Sequence, residues 1–148
     1  MTVVFADSSA LVKLYVDEPG STAVRGAERR SRFVVSALAR VEVPSALWRK
    51  ARARDLDGTD ARVLTATFEG DWYGSPDEAP RFPVVTTSWA LLAEAARLCE
   101  THDLRASDAV QLASALSATG GERIEFACFD QRLSAAAEAE GLPLLTPA

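Results

Sequence analysis

The chain has 148 residues, 48% apolar and 25% charged, which suits one domain, residues 1–148, with a core of its own. Its formal net charge of −5 argues against a protein that coats nucleic acid without specificity. Two cysteines in no metal-like spacing, no signal-like N-terminus and no apolar run of bilayer length together point to the cytoplasm and away from a membrane.

Thr2 to Ala6 is β-branched, aromatic and too short for a helix, and it runs into Asp7-Ser8-Ser9, a pattern that predicts a buried strand followed by a helix start. Ala10 to Val16 sets Leu11, Leu14 and Tyr15 on one helical face, and Pro19-Gly20 stops it. An arginine-rich helix over 21–30 and a short strand over 33–36 follow. Residues 37–54 predict a strong helix with Leu38, Val41, Ser45 and Trp48 down one side, Glu42 mid-helix, and bases near its end, where the macrodipole favours them. A further helix is expected over 57–68.

Residues 70–82, with Gly70, Gly74, Pro76 and Pro80, read as the longest loop. A strand over 82–86 leads to a helix capped by Ser88 and ending near Thr101. Ser107 is expected to cap the next helix, which Thr119-Gly120-Gly121 terminates. A strand over 124–129 ends at Asp130, a last helix carries Leu133, Ala136 and Ala137, and 141–145 reads as a closing edge strand. Short apolar strands alternating with helices predict βαβ units and a parallel sheet covered on both faces. Ligands of such sheets bind beyond the carboxyl ends of the strands, where Asp7 and Asp130 both fall.

Four acids therefore command interest: Asp7, Glu42, Asp108 and Asp130. Singly, Asp7 and Asp130 also read as helix caps, and Asp108 as a complement to a helix dipole. Glu42 lacks a helical ion-pair partner, because Arg49 and Lys50 lie seven and eight residues on. Gathered, the four would repel, at about 4 kcal/mol for each pair 4 Å apart at an effective dielectric near 20. A divalent cation removes that penalty. A cage of carboxylates without histidine or thiolate suits Mg²⁺ or Mn²⁺, and such ions most often serve phosphoryl chemistry.

The run Asp7-Ser8-Ser9-Ala10-Leu11-Val12-Lys13-Leu14-Tyr15 resembles the opening motif of PIN-domain nucleases, especially the VapC-type toxins of type II toxin–antitoxin pairs. So do Ser36 to Glu42, Leu104-Arg105-Ala106-Ser107-Asp108 onward to Ala113, and Phe129-Asp130-Gln131-Arg132-Leu133, in the family's order and spacing. The resemblance implies a three-layer α/β/α fold, a Mg²⁺- or Mn²⁺-dependent ribonuclease, a small cognate antitoxin and a homodimer. It makes Asp7 and Asp108 the main metal ligands, with Glu42 and Asp130 completing the acidic site directly or through water. Ser9 matches the hydroxyl residue that buttresses the first aspartate. Cys128 departs from the pattern, standing where the family often has Ser or Thr, and a thiol is a weak donor.

Such a site predicts RNA cut to 5′-phosphate and 3′-hydroxyl ends, since His102, the single histidine, leaves no histidine pair for a cyclic-phosphate route. A PIN-like module that binds RNA or peptide without cutting is the alternative, though binding alone gives no reason to gather four acids. A phosphatase with an aspartate nucleophile would want a second Asp where Ser9 stands, and a receiver domain would want a lysine after Lys50. Trp72 and Tyr73, placed in the long loop, are candidates to stack on a base or to pack on the domain. Lys13, about one helical turn past Asp7, is a candidate for the rim of the site with solvent exposure the default, and the basic cluster Arg49 to Arg54 faces RNA, an antitoxin or solvent.

Overall fold

A computed structural model describes residues 2–145. Its core is a four-stranded sheet in the order β3-β2-β1-β4, formed by β1 (Thr2–Ala6), β2 (Ser31–Ser36), β3 (Val84–Val85) and β4 (Ile124–Ala127), every pair parallel. The period-two alternation of β1 sorts the core into two halves. Val4 and Ala6 face a cluster built with α1 (Ser8–Val12), α2 (Ser21–Arg30), α3 (Ala39–Arg52) and α4 (Gly58–Tyr73). Val3 and Phe5 face a second cluster with α5 (Trp89–Thr101), α6 (Ala106–Ser117) and α7 (Gln131–Ala139). The three-layer α/β/α arrangement follows directly, and Phe5 stacks on its register partner Phe126 at 5.9 Å.

Several expected boundaries shift, for packing reasons. The first helix ends at Val12 and continues as turns, and the last strand pairing is a single Phe126–Leu144 bridge instead of an edge strand over 141–145. The strands over 33–36, 82–86 and 124–129 are observed as Ser31–Ser36, Val84–Val85 and Ile124–Ala127. In α3 the buried stripe is Ala39, Val43 and Leu47, whereas Val41 is 68% exposed; the i, i+4 line nearest the sheet wins over the one with more large side chains. Two turn residues precede α3, so Glu42 lies in its first turn and not mid-helix.

α4 runs five residues beyond Phe68, carrying Trp72 and Tyr73 out of the expected loop. Trp72 packs on Phe68 with ring centroids 5.7 Å apart, and Asp71 accepts a 2.6 Å hydrogen bond from Tyr15, so tertiary contacts carry the helix through Gly70. Ser88 does cap α5. Ser107 does not cap α6: Arg105 holds that position without a side-chain bond.

Candidate active site

Each acid is delivered by a different element. Asp7 follows the central strand, and its N–H extends the ladder to the Ala127 carbonyl at 3.1 Å. Its carboxylate is the N-cap of α1: Oδ1 accepts from the Ala10 N–H at 2.9 Å and from Ser9 Oγ at 2.7 Å. Glu42 enters from the first turn of α3 and Asp108 from the first turn of α6. Asp130 caps α7, with Oδ1 accepting from the Leu133 N–H at 2.8 Å. All four line one cleft of about 420 Å³ at the carboxyl ends of the strands. Capping and clustering are thus combined in Asp7 and Asp130: one oxygen holds a helix start while the side chain lines the cleft.

The charge is concentrated and partly desolvated. Burial pushes the pKa of Asp7, 4% exposed, from 3.8 up to about 6, although the Ser9 and Ala10 hydrogen bonds pull it down. Asp108 is also raised, first by burial and then by the charge of Asp130, with Arg105 opposing. Glu18, at the same cleft, is pushed up by burial but held below its ordinary range by hydrogen bonds from Lys50 and Lys13. Lys13 lines the same cleft, 8% exposed and bonded to Glu18 at 2.9 Å, so it sits at the site and does not face solvent as the default reading had it.

Gln111 is the participant that sequence reasoning missed. Only 2% exposed, its Nε2 donates to Glu42 Oε1 at 2.8 Å and to Ser8 Oγ at 2.9 Å, while Ser8 Oγ donates to the same Glu42 oxygen at 2.9 Å. The signal available was its place one turn after Asp108, on the same face of α6. Arg105 and Arg49 also line the cleft, and neither pairs with a carboxylate among the described residues. Cys128 Sγ accepts the Asp130 N–H at 3.3 Å. Burial and the charge of Asp7 drive its thiol pKa upward, so it stays protonated. His102 closes α5, 3.7 Å from the Glu140 carboxylate, and is not part of the cleft lining.

The donor set fits a hard divalent ion. Asp7 Oδ2, Glu42 Oε2, Asp130 Oδ2 and both oxygens of Asp108 accept no N–H or O–H bond among the described residues. The arrangement is open: among the described residues no three acidic, histidine or cysteine side chains already close around one point. Gripping an ion therefore requires those carboxylates to turn inward.

The model of the PIN domain matches residues 4–146. Ribonuclease VapC45 and ribonuclease VapC49, from two strains of Mycobacterium tuberculosis, are each 35% identical over 142 residues, 95% of this chain and 93% of the relative. The chain belongs to the PIN-domain family, in its VapC-type branch. Solved structures share the fold at lower identity. The PIN-domain chain aligns with FitAcB from Neisseria gonorrhoeae at a TM-score of 0.64, 18% identity and 97% coverage of both chains. With a toxin–antitoxin complex from Klebsiella pneumoniae the TM-score is 0.58, at 18% identity and 98% coverage of both. Among the described residues, no helix of this PIN domain is long and apolar enough to cross a membrane.

Proposed function

We propose that the protein is a metal-dependent endoribonuclease that acts as a toxin in the cytoplasm and is neutralised by a small cognate antitoxin. One observation carries this reading: four carboxylates from four elements meet in one cleft, in a chain 35% identical to named ribonucleases. The homodimer implied by the family resemblance belongs to the same proposal.

Asp7, Asp108 and Asp130 are the residues to hold Mg²⁺ or Mn²⁺ through their free oxygens. A bound ion supplies a lowered pKa for attacking water and neutralises charge on the phosphoryl oxygens. Glu42 is kept in place by Ser8 and Gln111 through Oε1, which leaves Oε2 to accept the water's proton as general base. Asp130 is the second candidate for that role. Arg105 and Arg49 meet the flanking phosphates as unpaired cations. Water oxygen bonds to phosphorus, the bond to the 3′-oxygen breaks, and that oxygen takes a proton from solvent water and leaves as a hydroxyl. The 5′ side of the next nucleotide keeps the phosphate.

A module that binds RNA or peptide without cutting has the open arrangement of the acids in its favour. The two readings part on labelled total RNA incubated with purified protein or its Asp7→Asn variant, in Mg²⁺, Mn²⁺ or EDTA. Discrete 5′-phosphate ends, lost in EDTA and in the variant, are the expected result. Folded, metal-loaded protein that leaves the RNA intact would instead establish the binding module.

A further inference from the structure

Phe129 does not itself line the acidic cleft, but its ring lies under Lys13 and its chain neighbour is Asp130, both of which do, and nothing in the chemistry above uses it. It is 49% exposed although it is a large apolar side chain on a firmly held backbone. Its N–H donates to Ser9 Oγ at 3.2 Å, and the same hydroxyl donates to Asp7 Oδ1 at 2.7 Å. Two hydrogen bonds therefore connect the backbone of Phe129 to the deepest carboxylate of the cleft. The next residue is Asp130, itself part of the cleft lining.

The ring is fixed as well as exposed. Lys13 Nζ sits over it, 4.4 Å from the centroid, and is itself anchored by Glu18. Gly20, at φ +94°, abuts its edge so closely that a Cβ there would lie 2.5 Å from Cε1 and 2.8 Å from Cζ. A side chain held in this way loses little freedom when something stacks on it. The exposed residues that follow it in the chain, Gln131 and Arg132, are polar, and Lys13 is charged. An exposed flat ring held beside such groups matches the face of a nucleobase, whose edges stay hydrated.

We propose that Phe129 is the stacking platform for one unpaired base of the RNA, adjacent to the phosphate that is cut. This deepens the nuclease reading and rests on it: the ring would take an unpaired base, because a paired base has no free face to offer. It also moves the aromatic contact away from Trp72 and Tyr73, the first packed on Phe68 and the second, 61% exposed, lying against Arg40.

The test is a cycle of protein and substrate deletions. Once the cut is mapped, a single-stranded RNA is prepared with an abasic ribose at each position flanking it in turn. Wild type and Phe129→Ala are then compared for kcat/KM, with Phe129→Trp as the conservative variant and thermal melting as a check on folding. Loss of one base stack is expected to cost roughly 5- to 150-fold. Phe129→Ala should lose that factor on intact RNA, Phe129→Trp should retain activity, and at one abasic position the wild type should fall to the variant's level while the variant falls no further. Factors that multiply at every position would overturn the platform while leaving the nuclease standing. Absence of cutting by the wild type removes the nuclease reading and the platform with it.

Discussion

Replacing Asp7 by Asn should stabilise the metal-free protein at alkaline pH, even though it removes the most buried carboxylate of the cleft. The carboxyl titrates at about 6 in the fold against an ordinary 3.8. At about 1.4 kcal/mol per pH unit, ionising it in the folded state costs about 3 kcal/mol relative to ionising it in the unfolded chain. Because the folded value is the higher one, the wild type has its full stability from this group below about pH 3.8. It loses that stability as the pH rises through about 6, and nothing further changes above. Asn has no charge to desolvate, and its carbonyl oxygen still accepts from Ser9 Oγ and the Ala10 N–H.

In EDTA at pH 8 the variant should therefore melt higher, by about 1–3 kcal/mol, since an amide accepts those bonds more weakly than a carboxylate. At about 3 °C per kcal/mol for a chain of this size, the difference is roughly 3–9 °C, and it should vanish near pH 4. Mg²⁺ at a hundred times its dissociation constant adds about 2.7 kcal/mol to the wild type and far less to the variant, closing or inverting the gap. Scanning calorimetry across pH, with and without the ion, reads all of this. A variant that melts lower than wild type in EDTA at pH 8, or a gap unchanged between pH 4 and 8, would refute the argument that Asp7 is a desolvated anion awaiting a cation.

Gln111→Leu should leave the fold intact yet loosen Glu42, which Ser8 alone then holds, lowering activity about 10- to 100-fold, as loss of a group that orients a functional side chain typically does. The cleavage rate at saturating metal measures it, and an unchanged rate would remove Gln111 from the site. Arg105→Ala and Arg49→Ala should each raise KM on every RNA alike and reduce the slope of log KM against log salt by about 0.7, one phosphate contact on a single strand. An unaltered salt slope would place those guanidinium groups outside the RNA path.

Much of this architecture was legible in the sequence because its signals are local. The strand that ends at Asp7, the Ser88 cap and the apolar trio of α7 depend on short-range patterns that packing then reinforced. Positions where the reading failed are those decided at long range. Nothing near Gly70 tells that Tyr15, 56 residues away, bonds Asp71 and helps carry α4 onward. Val41 looked more core-like than Ala39, but the closeness of α3 to the sheet selects the small residue. Gln111 is a neutral side chain with no motif chemistry of its own, and it acquires a role only when α6 is laid beside α1 and α3. Asp7, Asp108 and Asp130 were readable as helix starts from local signals, whereas Glu42, expected mid-helix, falls in the first turn of α3 because two turn residues delay that helix.

The parallel register also governs when a working cleft can exist during synthesis. Asp7 leaves the ribosome early, but the strand before it is flanked on one side by β4, where Val3 pairs with Ile124 and Ala6 with Ala127. Asp108 and Asp130 arrive later still than most of the core, and Phe129 with them. A nascent chain that stops anywhere from residue 42 to residue 123 carries Asp7 and Glu42 but neither Asp130 nor β4, so both the acidic cleft and the sheet beneath it are incomplete. Assembly of the four-acid cleft is thus tied by topology to the late insertion of β4 beside β1, and no fragment that stops short of Asp130 can form it.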